Sequence, residues 1–389
     1  MRDLPDGANL DHLRRQAKDL LAVLRSSDPA ATLADAQGSL ARQHGFDTWA
    51  QLKAEVTRRQ NIPPLVADPD VAQRLAVAFN LGAVTSPMEH LERQWAGQVW
   101  ELTTADGRWV LTELADYVVP AHIEVVSDLV ARARAAGVLA PEPVTTRDGL
   151  FVFSADGASW RADRWVQLGP PPPQPPPPDV AAEGGRALAR IHALDLEPPE
   201  PVVPWLTRRP SESSWQNMLA AARAANAIWA DDLAWAIPGF LQLDAISDSE
   251  DPNPRAILSK AWHAPIGARV AGTGRLVLVG WEHASAIPKD WELGASLMAW
   301  SETETNDYDE RAARAFLSGY RDVGGETPIT MPIFTSGVTG ALNWTISRAN
   351  IALNDDDDAE RKLAERNIRV LARNPITLDR VSELAAVLT

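Results

Sequence analysis

The chain has 389 residues, 45% of them hydrophobic, no cysteine, and a formal net charge of −15. This length leaves room for two or three domains. The acidic balance argues against a general nucleic-acid binder, since phosphate backbones would be repelled over much of the surface, and the lack of cysteine excludes disulfides and thiolate metal sites. No apolar run reaches the roughly 18 residues that a membrane span needs, and the opening Met1–Asp6 lacks the basic and apolar regions of a secretory signal. A cytoplasmic location, with neither membrane nor nucleic acid as partner, is the expectation. Fifteen tryptophans stand against three tyrosines, which suggests that indole serves ligand contact as well as core packing.

In chain order, apolar residues at Leu10, Leu13, Ala17, Leu20, Leu21 and Leu24 follow helical spacing and predict a helix over Asn9–Arg25, capped by Asn9 or Asp11. Two more helices are expected over Thr32–Gln43 and Trp49–Val56, on either side of His44-Gly45-Phe46-Asp47. The strings Leu33-Ala-Asp-Ala-Gln37 and Ala41-Arg-Gln-His-Gly-Phe46 resemble a small helical segment that precedes unrelated domains in many bacterial proteins. That resemblance implies a stabilising or docking cap over residues 1–60, open to a protein partner, with Asn61-Ile-Pro-Pro64 as its linker.

From about Val71 the pattern changes. Val99–Thr103 and Trp109–Glu113 alternate as strands around the tight turn Ala105–Arg108, and a helix is predicted over Ala121–Ala136. Leu150–Phe153 and Arg161–Val166 complete a small antiparallel sheet. Gly169–Pro178, the only low-complexity segment, reads as a stiff polyproline spacer, or as a ligand for an aromatic groove. Beyond it the chain is mainly helical. Helices are expected at Ala181–His192, near Trp215–Trp229, and at Glu310–Tyr320, Asn343–Ala352 and Ala359–Ala372. The run Asp355–Asp358 suits a helix N-terminus, where carboxylates meet a favourable dipole.

The most informative stretch is Leu258–Glu292. Arg275-Leu-Val-Leu-Val-Gly-Trp-Glu-His283, followed by Trp291-Glu-Leu-Gly294, has the pattern of a buried strand running into a loop. It resembles the aminoglycoside phosphotransferase family, in which that strand ends in Asp-Trp-Glu and the Asp holds Mg²⁺. The resemblance covers residues 70–353. It implies a two-lobed, protein-kinase-like α+β fold: a small all-α segment over 1–60, an N-lobe of antiparallel sheet plus helix over 61–168, and a mainly helical C-lobe over 169–389 with the proline-rich linker 169–178.

It also implies where the chemistry belongs. Phosphoryl transfer needs a lysine for the nucleotide phosphates, oxygen ligands for Mg²⁺ and a carboxylate for the acceptor hydroxyl. The family's His-x-Asp-x-x-Pro-x-Asn falls on Lys260, Trp262, Pro265 and Gly267, so only the proline is kept. The metal-binding Asp falls on Gly280. The strand lysine falls on Thr112, after Val110-Leu111, and its glutamate partner on Glu124 or Val126. Neither glycine has a side-chain donor and an indole cannot accept a proton. The resemblance therefore implies a degenerate member, no longer an active phosphotransferase — a pseudokinase in which Mg²⁺ and ATP binding are expected to be lost and no cofactor is implied.

The altered lining points to other uses. Trp262, Trp281 and the C-lobe indoles Trp215, Trp229 and Trp235, with His263, Glu282 and Asp290 as polar groups, are candidates for an aromatic pocket holding an aromatic or cationic small molecule. Glu292 belongs to the same acidic set. If strand alternation continues past Gly280, Glu282 points where the lost carboxylate would have been. Sequestration of an antibiotic or natural product, giving resistance without phosphorylation, is the leading reading. Two others stay open: repurposed chemistry through His263, Glu282 and His283, or a pseudokinase scaffold for partner proteins. Alternatively Trp262 simply plugs the cleft and leaves a scaffold; Lys260, separately, lies at the surface or holds an anionic group.

Overall fold

A computed structural model describes residues 10–27, 32–44, 46, 48–60, 68–94, 96–155, 157–247, 254–271, 275–303, 305, 307–355 and 358–389. Met1–Asn9, Gly45, Asp47, the linker residues Asn61–Pro64 and the middle of the acidic run, Asp356–Asp357, lie outside the described residues. Contacts divide the chain into two compact units. The first takes residues 1–131 and 141–166, the second 132–140 and 167–389. The division falls near 166, and 132–140 go with the second unit. There the amide of Leu278 donates to the Leu139 carbonyl at 2.8 Å.

In the first unit, leucine and alanine spacing builds helices α1 (Leu10–Ser27), α2 (Leu33–Gln43) and α3 (Trp49–Gln60). Leu13, Ala17, Leu40, Ala41, Phe46, Leu52 and Val56 bury a common core among them. Helix α1 already contains Asp11, so that residue is not its cap. Thr32 caps α2 reciprocally with Asp35, satisfying amides that the first turn leaves open. Helix α4 (Pro69–Ala78) follows, capped by Asp68.

Strands β1 (Glu89–Gln94), β2 (Gly97–Thr104), β3 (Gly107–Leu114), β4 (Pro143–Val144), β5 (Val152–Ala155) and β6 (Ala158–Arg164) form one antiparallel sheet, ordered β1-β2-β3-β6-β4 with β5 also on β6. Alternation puts Trp100, Leu102, Trp109, Leu111, Trp160 and Ala162 on one face, where they pack with Leu75, Ala76 and Phe79 from the end of α4. Helix α5 (Pro120–Ala135) contributes Ile123 to a smaller cluster with Leu114, Val118 and Val152.

The second unit is mostly helix: α6 (Pro178–Ala193), α7 (Pro204–Thr207), α8 (Glu212–Ala224), α9 (Ala230–Gln242), α10 (Lys289–Ser301), α11 (Glu310–Asp322), α12 (Thr335–Asn354), α13 (Asp358–Arg373) and α14 (Leu378–Leu388). Two short antiparallel pairs interrupt it, β7 (Ala256–Ser259) with β10 (Ser285–Pro288) and β8 (Ala268–Val270) with β9 (Leu276–Leu278). Helices α6 and α11 touch backbone to backbone. A Cβ on Gly185 would lie 2.0 Å from the Phe316 carbonyl oxygen, and one on Gly319 would lie 2.0 Å from that of Ala182. The proline run is no free spacer. Gly169 donates to the Val270 carbonyl and Val270 donates to that of Pro170, at 2.9 and 3.2 Å, while Pro172 and Pro176 are buried.

Candidate functional site

The site is built by two loops of the second unit. One leaves β7 after Ser259, which pairs with Ser285 of β10. It turns at once, because Ala261 adopts a positive φ of 58° and the Trp262 amide donates back to the Lys260 carbonyl at 2.7 Å. A short helical turn, Pro265–Gly267, then leads into β8. The second loop leaves β9, passes through Gly280 in the left-handed region (φ 69°, ψ 47°) and forms the turn Trp281–His283 before β10. The amide of Val279 donates to the Gly267 carbonyl at 2.8 Å and ties the loops together.

Lys260 sits where they meet. It is 1% exposed, so the expectation of a surface lysine is wrong: the turn at Ala261 sends the side chain inward. Its ammonium donates to the carbonyls of Trp262 and Gly280, each at 3.0 Å, and lies 5.8 Å from the centroid of the Trp281 ring. The two glycines make the space. A Cβ on Gly267 would be 3.0 Å from Nζ and 3.2 Å from the Val279 carbonyl oxygen; one on Gly280 would be 3.9 Å from Nζ. Burial pulls the Lys260 pKa down to about 8, against the carboxylates of Glu282 and Glu292, which favour the charged form.

The indoles separate sharply. Trp262 is 49% exposed and its ring tilts against His283 with centroids 5.0 Å apart, so it does not plug the interior of this unit. Trp281 is buried and donates its ring N–H to the Leu278 carbonyl at 3.0 Å. Trp215 and Trp229 are core residues too, Trp215 packing on Phe240, whereas Trp235 on α9 is 67% exposed. The structure thus brings Trp262 together with His283, Trp281 and Glu282. It leaves Trp215 and Trp229 in the core, where an indole enclosed by protein has no face left for a ligand.

His263 is buried, not poised. Its Nε2 bonds the Gly184 carbonyl at 2.9 Å and its ring stacks on Trp300 at 5.3 Å. Burial, reinforced by the Lys260 charge, drops its pKa to about 3, so it is neutral and anchors the loop to α6. Glu282 is also buried, and the strand alternation expected beyond Gly280 is absent, because Trp281–His283 is a helical turn. Its Oε1 nevertheless lies 4.0 Å from the place a Gly280 Cβ would occupy. Asp290 opens α10, its Oδ1 accepting from the amide of Trp291 at 2.9 Å.

Sequence reasoning left out the buried network behind this site. His192 on α6 bonds Glu292 on α10 through Nε2 and the Tyr320 hydroxyl on α11 through Nδ1, both at 2.9 Å. Burial opposes ionisation of Glu292, but His192, together with Ser259 and His263, holds the carboxyl below its usual range. The signal was present, since His192 ends the helix expected over Ala181–His192, but nothing in the string named its partner.

In the first unit, Thr112 is buried on β3, opposite Arg161 of β6. The choice between Glu124 and Val126 resolves as neither pairing a cation there: Val126 is a core residue, and Glu124 accepts the amides of Phe151 and Val152 at 2.9 and 2.7 Å. For Mg²⁺ the residues at 267 and 280 do not fit, since neither has a side-chain donor atom and the Gly280 carbonyl already holds an ammonium. Among the described residues no group of three or more His, Asp or Glu stands ready for a metal.

The fold is that of known antibiotic and small-molecule kinases. The chain is similar to a spectinomycin phosphotransferase solved with ADP and spectinomycin, at 11% identity and TM-score 0.60, over 83% of this chain and 98% of that one. A microcompartment-associated aminopropanol kinase matches at 15% identity and TM-score 0.56, over 83% and 100%. An amicoumacin kinase solved with AMP-PNP and Ca²⁺ matches at 15% identity and TM-score 0.53, over 86% and 99%. Identities this low establish the kinase-like α+β fold alone. No family model and no curated protein sequence matches the chain.

Proposed function

We propose that this protein binds a small molecule on the face carrying Trp262 and His283 and has lost metal-dependent phosphoryl transfer. The observation that carries the reading is the half-exposed indole of Trp262, tilted on the His283 ring beside two glycines that have no side-chain donor atoms. An exposed indole next to an imidazole offers a flat apolar surface with a polar edge, which suits an aromatic, cationic or sugar-like ligand. The platform has one indole, not the several expected from composition. Similarity in fold to kinases solved with spectinomycin and amicoumacin makes antibiotics of those kinds the first ligands to try, and resistance by sequestration the role that follows if one binds.

The test is calorimetry and thermal melting with spectinomycin, amicoumacin and related aminoglycosides, without ATP or Mg²⁺. Binding raises the melting temperature in proportion to ligand concentration over Kd. Trp262→Ala is expected to weaken it about tenfold, as losing an aromatic contact of about 1.4 kcal/mol would, while leaving the unliganded melting point unchanged. Turnover of any of these compounds with Mg²⁺–ATP would sink the reading.

A further inference from the structure

Keeping a lysine inside a protein is costly, and here backbone oxygens meet the charge directly. The Trp262 and Gly280 carbonyls accept directly from Nζ, and the carboxylates of Glu282 and Glu292 face the same charge. Burial lowers the Lys260 pKa, and the charges of Glu282 and Glu292 work against that fall. Carbonyl and carboxylate oxygens gathered from separate loops are also the donor set of a hard cation. The glycine at 267 is part of the arrangement, because any side chain there would meet the ammonium at 3.0 Å.

We propose that this oxygen cradle is a cation site occupied by the chain's own Lys260, whose ammonium fastens the Trp262 loop to the Gly280–Glu282 loop in place of a metal ion. Lys260 is thus a positioning residue: it sets the two loops from which Trp262 and His283 present the binding face. The inference deepens the binding reading above, which concerns the same face, but its test uses no small-molecule ligand, so either can fail alone.

Removing the lysine side chain should leave a cradle open to an external cation. Isothermal titration with Mn²⁺ is expected to show no binding to the wild type and a dissociation constant on the order of 1 mM or tighter for Lys260→Ala, the range of modest oxygen sites. Lys260→Ala/Glu282→Gln should lose that affinity at least about tenfold, since one of the carboxylates is gone. Mn²⁺ binding to the wild type that Glu282→Gln removes, or no binding to a folded Lys260→Ala, overturns the proposal. The wild type supplies a test that does not depend on a variant folding. The chain has five lysines, Lys18, Lys53, Lys260, Lys289 and Lys362, so their Nζ resonances can be resolved in ¹⁵N-labelled protein. At pH 7, one is expected to be an ammonium in slow exchange with water. A neutral amine, or five ammonium groups that all exchange freely, also overturns it.

Discussion

At the residue scale, Lys260 has a measurable signature. Its pKa falls from 10.5 in the unfolded chain to about 8 in the folded one, chiefly through burial. Between those values the unfolded chain holds a proton that the folded chain has released, so this group makes stability rise with pH across that window. Below about pH 8 both states are protonated and the full cost, about 3 kcal/mol, applies. The unfolding free energy of the wild type relative to Lys260→Met should therefore climb by about that amount between pH 7.5 and 10.5. Parallel curves for the two proteins would show that Lys260 keeps an ordinary pKa. The absence of donors at Gly267 and Gly280 was legible in the string. The inward turn of Lys260 was not, because lysine is usually exposed and only the backbone at Ala261 reverses that.

At the element scale, His192 joins α6, α10 and α11 through two buried hydrogen bonds. His192→Ala removes one hydrogen bond each from the buried Glu292 carboxylate and the Tyr320 hydroxyl. The expected cost is about 3 kcal/mol, read as a lower urea midpoint at unchanged slope. Recovery of that loss in His192→Ala/Glu292→Leu would trace it to the buried carboxylate. The β2–β3 hairpin was plain in the sequence, since Val99–Thr103 and Trp109–Glu113 alternate around a short turn. Strand β1 was not: Glu89–Gln94 is polar, and pairing with β2 alone makes it a strand. Helix α10 escaped because it is buried on nearly every side and so lacks an amphipathic stripe. Helix α9 carries Pro238, which reads as a break.

For the whole molecule, the proposed loss of phosphoryl transfer rests on positions in both units. Thr112 lies in the first, and Lys260, Gly267 and Gly280 in the second. A thermal-shift titration should therefore give no rise in melting temperature with Mg²⁺–ATP, because a ligand stabilises only a fold that binds it. A saturable rise of several degrees would show the nucleotide site to be retained. No helix among the described residues is long and apolar enough to cross a membrane.

The sequence by itself determined the local strands and helices and which side chains stand at 267 and 280, while the kinase-like fold was implied only through a family resemblance. Strand alternation, helical spacing and residue identity are local properties, written in consecutive letters. Only the tertiary structure decided which indoles are free and where the lysine charge rests. Trp262 is exposed while Trp215, Trp229 and Trp281 are enclosed, and Lys260 is held by Gly280, twenty residues away. Burial and hydrogen bonding of that kind depend on contacts between distant segments. Periodicity carries no record of them.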